Sequence, residues 1–273
     1  MLSPAEVQTF RTAVYNHASR PHLPWRTNYT TPYHILVSEI MLQQTQVDRV
    51  IPRFLTFCAA FPTLSALATA PQSEVLSHWI GLGYNRRARY LHQAAQTIQA
   101  LHHGKVPSDP TILRSLPGIG PYAAASIAAF AYDAPAIVID TNIRTVYIAH
   151  FFPGHEKVRD QELIPYISDT LDAEQPRRWY SALMDYGVFL KKTQGNHAKQ
   201  SVTYVKQAPL KGSVRELRGA ILRFLARKSA SKNELIAHLQ STYPHNHHDP
   251  APIITRLITE DLVQEIRSQL SLK

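Results

Sequence analysis

Two acidic side chains, Glu39 and Asp140, are the residues of this sequence whose type and position best suit chemistry. Glu39 lies in a predicted helix, PYHILVSEIMLQQTQV, and its neighbours on one face, Ile35 and Leu36, are apolar. A carboxyl group held among apolar side chains should have a raised pKa and serve as a general acid near neutral pH. A glutamate that faces solvent is the alternative that this helix alone leaves open.

Asp140 follows an apolar segment, residues 134–139, that we expect to be buried. It also precedes a predicted helix over residues 142–150, so it can be the N-cap of that helix, and both roles can hold at once. Two carboxyl groups in unlike surroundings suggest cleavage of a glycosidic bond, in which one protonates the leaving group and the other stabilises the sugar cation. In a nucleic acid the leaving group would be a base that has first been flipped out of the duplex.

The segment LPGIGPY, residues 116–122, predicts a turn between two helices that binds an anion. Gly118 and Gly120 permit a positive φ and a close approach of backbone N–H groups to a partner. A helix that begins at Pro121 would direct its positive end to the same place, where a DNA phosphate is the natural ligand. The pattern is a helix-hairpin-helix motif, which holds a nucleic-acid backbone and does not read bases. A glycine C-cap between two packed helices is the simpler alternative.

The composition favours a polyanionic partner inside the cell. The chain of 273 residues has a formal net charge of +9 and a pI of about 9.7, which favours DNA or RNA. No apolar run is long enough to span a bilayer, and the N-terminus lacks the pattern of a secretory signal. We expect a cytoplasmic, nucleoid-associated monomer with no membrane partner.

Helical periodicity extends over the first 190 residues, without the alternation typical of strands. The predicted helices are residues 4–18, 33–47, 49–60, 73–79, 86–102, 110–115, 121–131, 142–150, 159–171 and 176–190. Residues 191–212 are polar and basic, which is typical of a linker or an ordered surface loop. Three further helices, 213–228, 231–241 and 251–262, and a short apolar tail predict a winged-helix-like segment. The fold class is therefore all-α.

The turn GLGY, residues 81–84, ends in an aromatic side chain that could fill the place of a flipped base. Tyr84 is the candidate, with a buried aromatic residue as the alternative. Arg86, Arg87 and Arg89 follow on the next helix and could contact phosphates, although a solvated helix face needs no such partner.

These motifs resemble those of the helix-hairpin-helix (HhH-GPD) DNA glycosylases, and most closely the MutY-type adenine glycosylases. The matching pieces, in order, are LPWR (23–26), SEIMLQQTQV (38–47), GLGYNRRAR (81–89), LPGIGPYAAASI (116–127), VIDTNIRTV (138–146) and ALMDYG (182–187). The resemblance implies a helical domain of residues 1–27 and 133–190, a six-helix barrel of residues 28–132, a basic loop of residues 191–212 and a winged-helix-like domain of residues 213–273. The expected partner is double-stranded DNA with a mispaired or damaged base.

The resemblance also implies roles for individual residues. Glu39 would protonate adenine, Asp140 would stabilise the sugar cation, and Asn142 would orient the attacking water. Tyr122 stands where bifunctional relatives carry a Schiff-base lysine, so a monofunctional enzyme is expected. The base pocket would be lined by Trp25, Arg26 and Asp185, the opposite base would meet Gln44, Thr45, Leu82 and Tyr84, and the DNA backbone would meet Gly118, Gly120, Arg86, Arg87, Lys191, Lys192 and Lys199.

The chain departs from the MutY pattern in its expected cofactor. MutY-type proteins follow ALMDYG with four cysteines that hold an iron–sulfur cluster, whereas Cys58 is the only cysteine of this chain. The histidines of the loop TYPHNHHDP have poor spacing for a metal site. We expect neither a cofactor nor a metal.

The second expected departure is that a short winged-helix-like segment stands in the place of the Nudix-like domain that recognises 8-oxoguanine in MutY, which leaves the choice of base open. The leading hypothesis is a monofunctional glycosylase that removes adenine opposite 8-oxoguanine or guanine. A mismatch-specific thymine or uracil glycosylase is the first alternative, and a non-catalytic, structure-specific DNA-binding protein is the second.

Overall fold

The computed structural model describes residues 2–273, which are mostly helical. The helices are α1 (Pro4–Tyr15), α2 (Pro32–Leu42), α3 (Val47–Ala60), α4 (Leu64–Thr69), α5 (Gln72–Trp79), α6 (Arg86–Leu101), α7 (Pro110–Ser115), α8 (Pro121–Tyr132), α9 (Thr141–Phe151), α10 (Asp160–Thr170), α11 (Pro176–Thr193), α12 (Val214–Leu225), α13 (Lys232–Thr242) and α14 (Pro250–Thr259). The strands are β1 (Val263–Ile266) and β2 (Gln269–Leu272). None of the helices described is both long and apolar enough to cross a membrane.

The chain forms two compact units. Unit 1 contains the residues up to Glu39 and Val106–Lys206, and unit 2 contains Ile40–Lys105 and Gln207–Lys273. These units group the hairpin helices α7 and α8 with α9 and α11, whereas the sequence prediction placed residues 28–132 in one domain. The grouping has a physical reason, since α8 packs against α11 within unit 1.

Aromatic packing holds unit 1 together. The ring of Phe10 on α1 lies 5.2 Å from that of Tyr147 on α9 and 6.1 Å from that of Trp179 on α11, measured between centroids. All three side chains are buried, and aromatic pairs of this kind stabilise a core beyond their buried area alone. This cluster fixes α9 beside α11, and both helices carry residues of the candidate site.

Unit 2 ends in the predicted winged-helix arrangement. Helices α12, α13 and α14 are followed by the antiparallel pair β1 and β2, with Val263 opposite Leu272. A second, short pairing joins Ala230 to Leu270, with N–O distances of 3.1 and 2.8 Å. The all-α fold with a small winged-helix-like segment is therefore confirmed, and the strands are confined to the final hairpin and isolated bridges among residues 2–273.

Helix α4 was not predicted, and the helix predicted over residues 33–47 was too long, each for a local reason. Helix α4 was missed because it is only six residues long and lies between two prolines; Thr63 caps it, accepting from the Ala66 N–H at 3.1 Å. The helix predicted to reach residue 47 ends at Leu42 instead. Gln44 has a φ of +52°, in the left-handed region, which ends the helical path.

Candidate active site

Glu39 is a buried carboxyl group, as the hydrophobic pattern of α2 predicts. Its side chain is 7% exposed, and the Ser126 hydroxyl donates to its Oε2 at 2.5 Å. Burial raises the pKa of Glu39 to about 7; the charge of Asp140 also raises it, while Ser126 and Arg26 oppose the rise. At neutral pH a large fraction of this side chain therefore carries a proton that it can donate.

Asp140 is the N-cap of α9, which confirms the capping role expected from the sequence. Its Oδ1 accepts from the Ile143 N–H at 2.7 Å, and its Oδ2 accepts from Asn142 Nδ2 at 2.9 Å. Burial raises the pKa of Asp140, but the Ile143 N–H, the Lys191 ammonium and further donors on α9 oppose that rise. The carboxylate form of Asp140 thus has donors that Glu39 lacks.

Tyr122 and Ser126 lie one turn apart on α8 and complete this cluster. The Ser126 hydroxyl, which donates to Glu39, also lies near enough to the Tyr122 phenol to lower its pKa slightly. Burial raises the pKa of Tyr122, and the charges of Glu39 and Asp140 raise it further, so the phenol stays neutral. Sequence reasoning missed Ser126, although a single hydroxyl within the apolar run of α8 was a visible signal.

The cluster can perform acid-assisted bond cleavage. Glu39 can give a proton, and Asp140 can present negative charge to a developing cation. Tyr122 has no amine and so cannot form a Schiff base. All of these groups lie in unit 1, on α2, α8 and α9.

Trp25, Arg26 and Asp185 lie together, around a cavity of about 290 Å³ within unit 1. Asp185 accepts from Arg26 Nη1 at 3.0 Å, from Arg20 Nε at 2.7 Å and from the Ser19 N–H at 2.9 Å. Burial opposes ionisation of Asp185, yet Arg26, the Ser19 N–H and Arg20 together hold its pKa below the usual value. Both of its oxygens are engaged, so Asp185 also anchors residues 19–26, a role that the sequence did not suggest.

Tyr84 is accessible in unit 2, in line with its predicted role beside the flipped base. Its side chain is 39% exposed, and its φ of +47° is unusual for a residue other than glycine. Gln207 and Arg215 both donate to its hydroxyl. The segment that enters the winged-helix part of the chain therefore contributes polar groups beside Tyr84.

The other three residues assigned to the opposite base differ in accessibility. Gln44 is exposed, and Thr45 is half-buried, with its hydroxyl accepting from Arg87 Nη2 at 3.0 Å. Leu82 is only 2% exposed, so its side chain supports the turn and is not presented to a partner. The predicted contact by Leu82 is therefore corrected.

The predicted phosphate contact of Arg87 is also corrected, because this residue is buried and its guanidinium already donates to main-chain carbonyls. Nη1 donates to the carbonyls of Ile40, Met41 and Gln43 at 2.7, 2.9 and 2.6 Å. It thereby satisfies carbonyls that the end of α2 leaves without helical partners. Arg87 is a cap for α2, whereas Arg86 is exposed and keeps its predicted role at phosphates.

The basic loop also differs from the prediction at Lys191. This residue belongs to the last turn of α11 and is half-buried, with its Nζ donating to Asn142 Oδ1 at 2.7 Å. Lys192 and Lys199 are exposed, so they remain candidates for phosphate contacts.

The predicted hairpin is present between α7 and α8. Gly118 has a φ of +75°, which a side chain would strain, while Gly120 is the extended N-cap of α8. Both glycines are exposed. The first turn of α8, with Pro121 at its start, thus has accessible backbone in front of it.

Residues 37–163 match the sequence profile of a family described as HhH-GPD superfamily base excision DNA repair protein. These residues belong to the HhH-GPD superfamily. The matched segment contains Glu39, Tyr122 and Asp140, and it ends before Asp185 and Lys191. The family predicted from the motifs is confirmed.

Relatives are named adenine DNA glycosylase. The protein of Mycolicibacterium smegmatis is 46% identical over 145 residues, which are 53% of this chain and 48% of that protein. The protein of Schizosaccharomyces pombe is 30% identical over 207 residues, covering 67% of this chain and 45% of that protein. The chain therefore spans about half the length of the curated relatives it matches.

Two solved structures share the fold of this chain. A thermostable thymine-DNA glycosylase aligns with a TM-score of 0.59 at 24% identity, over 67% of this chain and 86% of its own. Endonuclease III in a non-covalent DNA complex aligns with a TM-score of 0.57 at 20% identity, over 71% of this chain and 90% of its own. At these identities the likeness establishes the fold alone.

The residues after ALMDYG do not fit an iron–sulfur cluster of the kind that MutY-type proteins carry there. Four thiolates are required, and the single cysteine, Cys58, lies on α3, where burial raises the pKa of its thiol to about 12. The loop is held by main-chain bonds instead, since Val158 pairs with Gln200 and Val202 at 2.8 and 3.1 Å. Within residues 2–273 no group of three or more His, Cys, Asp or Glu side chains could hold a metal ion.

Proposed function

We propose that this HhH-GPD protein is a monofunctional DNA glycosylase that releases adenine paired with 8-oxoguanine or guanine. One observation carries the proposal: the buried carboxyl group of Glu39 and the half-buried one of Asp140 share a site, and only Asp140 has a set of donors that favours its charged form. The relatives named adenine DNA glycosylase, at up to 46% identity, support adenine as the base.

The reaction follows from these two groups. Glu39 donates its proton to a ring nitrogen of the flipped adenine while the bond between that base and the sugar breaks, and the bonding electrons leave with the base. The cation left on the sugar is stabilised by the Asp140 carboxylate. Water, oriented by Asn142 beside Asp140, then adds to the sugar carbon and gives up a proton to the Glu39 carboxylate, which restores the acid form of Glu39. The product is an abasic site in an uncut strand, because Tyr122 offers no amine for strand cleavage.

Double-stranded DNA is the proposed partner, bound by a protein that acts as a monomer in the cytoplasm without a cofactor. The exposed side chains of Arg86, Lys192 and Lys199 would meet phosphates, and the hairpin at Gly118 would hold the backbone through its N–H groups. Tyr84 would enter the stack that the flipped base leaves.

Four duplexes test the function: 8-oxoguanine:A, G:A, G:T and G:U. Each is incubated with the protein under single-turnover conditions, and abasic sites are then cleaved with alkali. We expect product from the two adenine duplexes, and none without the alkali step. Product confined to G:T or G:U would replace adenine with a pyrimidine, and binding without any product would favour a non-catalytic protein.

Two variants test the roles. Glu39→Gln and Asp140→Asn should each abolish release of adenine while DNA affinity is kept. Glu74→Gln is the matched control, since Glu74 is an exposed glutamate on α5. Full activity of Glu39→Gln would remove Glu39 as the general acid.

A further inference from the structure

Helices α9 and α11 are in close contact at Gly187. A Cβ atom placed there would lie 2.6 Å from the Asn142 carbonyl oxygen and 2.7 Å from the Asn142 Cβ, so no side chain fits. Lys191 follows four residues later, on the same face of α11. The glycine contact therefore brings Lys191 over the Asn142 side chain.

A chain of two hydrogen bonds then connects Lys191 to Asp140. Lys191 Nζ donates to Asn142 Oδ1 at 2.7 Å, and Asn142 Nδ2 donates to Asp140 Oδ2 at 2.9 Å. An ammonium group can only donate, so it fixes the amide with its oxygen toward Lys191 and its NH₂ toward the carboxylate. Without the lysine, the amide could turn and place its oxygen against Asp140.

We infer that Lys191 is a positioning residue for the reaction, which orients Asn142 and favours the charged form of Asp140 without touching the substrate. This inference rests on the proposed function for its catalytic meaning. The effect of Lys191 on the pKa of Asp140 does not depend on that function, because both residues belong to the free protein. The single hydrogen bond to a neutral amide leaves the charge of Lys191 available to Asp140.

Four ionisable side chains from four helices face Asp140. They are Glu39 on α2, Tyr122 on α8, Arg144 on α9 and Lys191 on α11. Arg144 is already paired with Asp160, at 2.7 and 2.6 Å. Lys191 is half-buried, and burial lowers its pKa while the charge of Asp140 opposes that change. Lys191 is thus the cation near Asp140 that is not bonded to another carboxylate.

The sign of the effect is definite. Lys191 lowers the pKa of Asp140, so its removal should raise that pKa. Activity that needs the Asp140 carboxylate is lost as the pH falls through the pKa of Asp140. In a variant without the charge, this loss should therefore begin at a higher pH.

The test compares Lys191→Met with Lys157→Met, a matched control because Lys157 is an exposed lysine of the same unit and has no proposed contact with DNA. Single-turnover release of adenine from the 8-oxoguanine:A duplex is measured between pH 5 and 9. Lys191→Met should be on the order of tenfold slower than the unmodified protein at neutral pH. The ratio of the two rates should approach one at higher pH, where loss of the Glu39 proton slows both proteins alike. The acidic midpoint of Lys191→Met should move upward, while Lys191→Arg and Lys157→Met keep the midpoint of the unmodified protein.

A second measurement does not need activity. The Asp140 carboxyl group is titrated by NMR in protein labelled with ¹³C-carboxyl aspartate, with Asp140→Asn used to assign its signal. We expect a higher pKa in Lys191→Met, and also in Lys191→Gln should the methionine variant fail to fold. The inference would be overturned if the midpoint were unchanged in both the pH–rate profile and the NMR titration. It would also be overturned if the loss of rate only followed a loss of DNA affinity. Because NMR reports on the free protein, its result stands even where no adenine is released.

Discussion

Replacing Glu39 with glutamine should stabilise the fold at pH 8 far more than at pH 5. In the folded state burial raises the pKa of this carboxyl group from 4.5 to about 7, so the folded protein binds a proton more tightly than the unfolded chain. The stability that the proton provides is complete below pH 4.5 and is lost as the pH rises toward 7. Glutamine has nearly the same shape, accepts the same bond from Ser126 and does not ionise.

The magnitude follows from the pKa. A rise from 4.5 to about 7 corresponds to roughly 3 kcal/mol of unfolding free energy, at about 1.4 kcal/mol per pH unit. Part of this contribution to the unfolding free energy is already lost at pH 5. Between pH 5 and pH 8 the unfolding free energy of the variant should therefore rise by roughly 2 kcal/mol relative to that of the unmodified protein. The gain should be smaller in an Asp140→Asn background, because the charge of Asp140 contributes to the raised pKa of Glu39.

Urea denaturation followed by circular dichroism and tryptophan fluorescence measures this difference at both pH values. Coincident transitions would permit a two-state analysis of a chain with two compact units. Glu74→Gln serves as the control for the exposed state, and its difference from the unmodified protein should be the same at pH 5 and pH 8. If the difference in unfolding free energy between Glu39→Gln and the unmodified protein were also the same at both pH values, the pKa of Glu39 would not be raised. Glu39 would then not be a protonated acid at neutral pH.

Three further predictions test other parts of the structure. Tyr122→Lys should add strand cleavage and an adduct that borohydride traps, since an amine would then stand beside Asp140; a product that still requires alkali would contradict this. Arg87→Met should cost about 2 to 4 kcal/mol in urea denaturation, because the carbonyls at the end of α2 would lose their donor; Arg86→Met should cost almost nothing. Neutral substitution of Lys192 and Lys199 should weaken DNA binding and reduce the salt slope by about two, and an unchanged slope would remove both from the interface.

The sequence predicted the two carboxyl groups well because local signals specify them. The apolar face around Glu39 indicates burial, and the position of Asp140 before a helix indicates an N-cap. Ser126 was missed because its partner Glu39 lies 87 residues away, and no periodicity links a serine in one helix to a glutamate in another. The same limit applies to Lys191, whose partner Asn142 is 49 residues distant.

Arg87 shows why residue type alone misleads. An arginine in a basic run after a turn indicates a phosphate contact, but the guanidinium instead meets carbonyls 44 to 47 residues away. Main-chain carbonyls leave no trace in the sequence, because every residue has one. The helix was also predicted to continue to residue 47. That prediction gave the carbonyls near residue 42 helical partners, so no buried cation was expected to bind them.

Burial alone cannot give the two carboxyl groups their different tasks, because it raises the pKa of both Glu39 and Asp140. The difference in pKa comes from the groups that surround each carboxyl group. Glu39 receives one bond from a neutral hydroxyl, whereas Asp140 meets the N-terminus of α9 and, through Asn142, the ammonium of Lys191. The division between acid and carboxylate is therefore set first by the Ile143 N–H at the start of α9 and then by Lys191, which α11 brings over Asn142 through the close contact at Gly187.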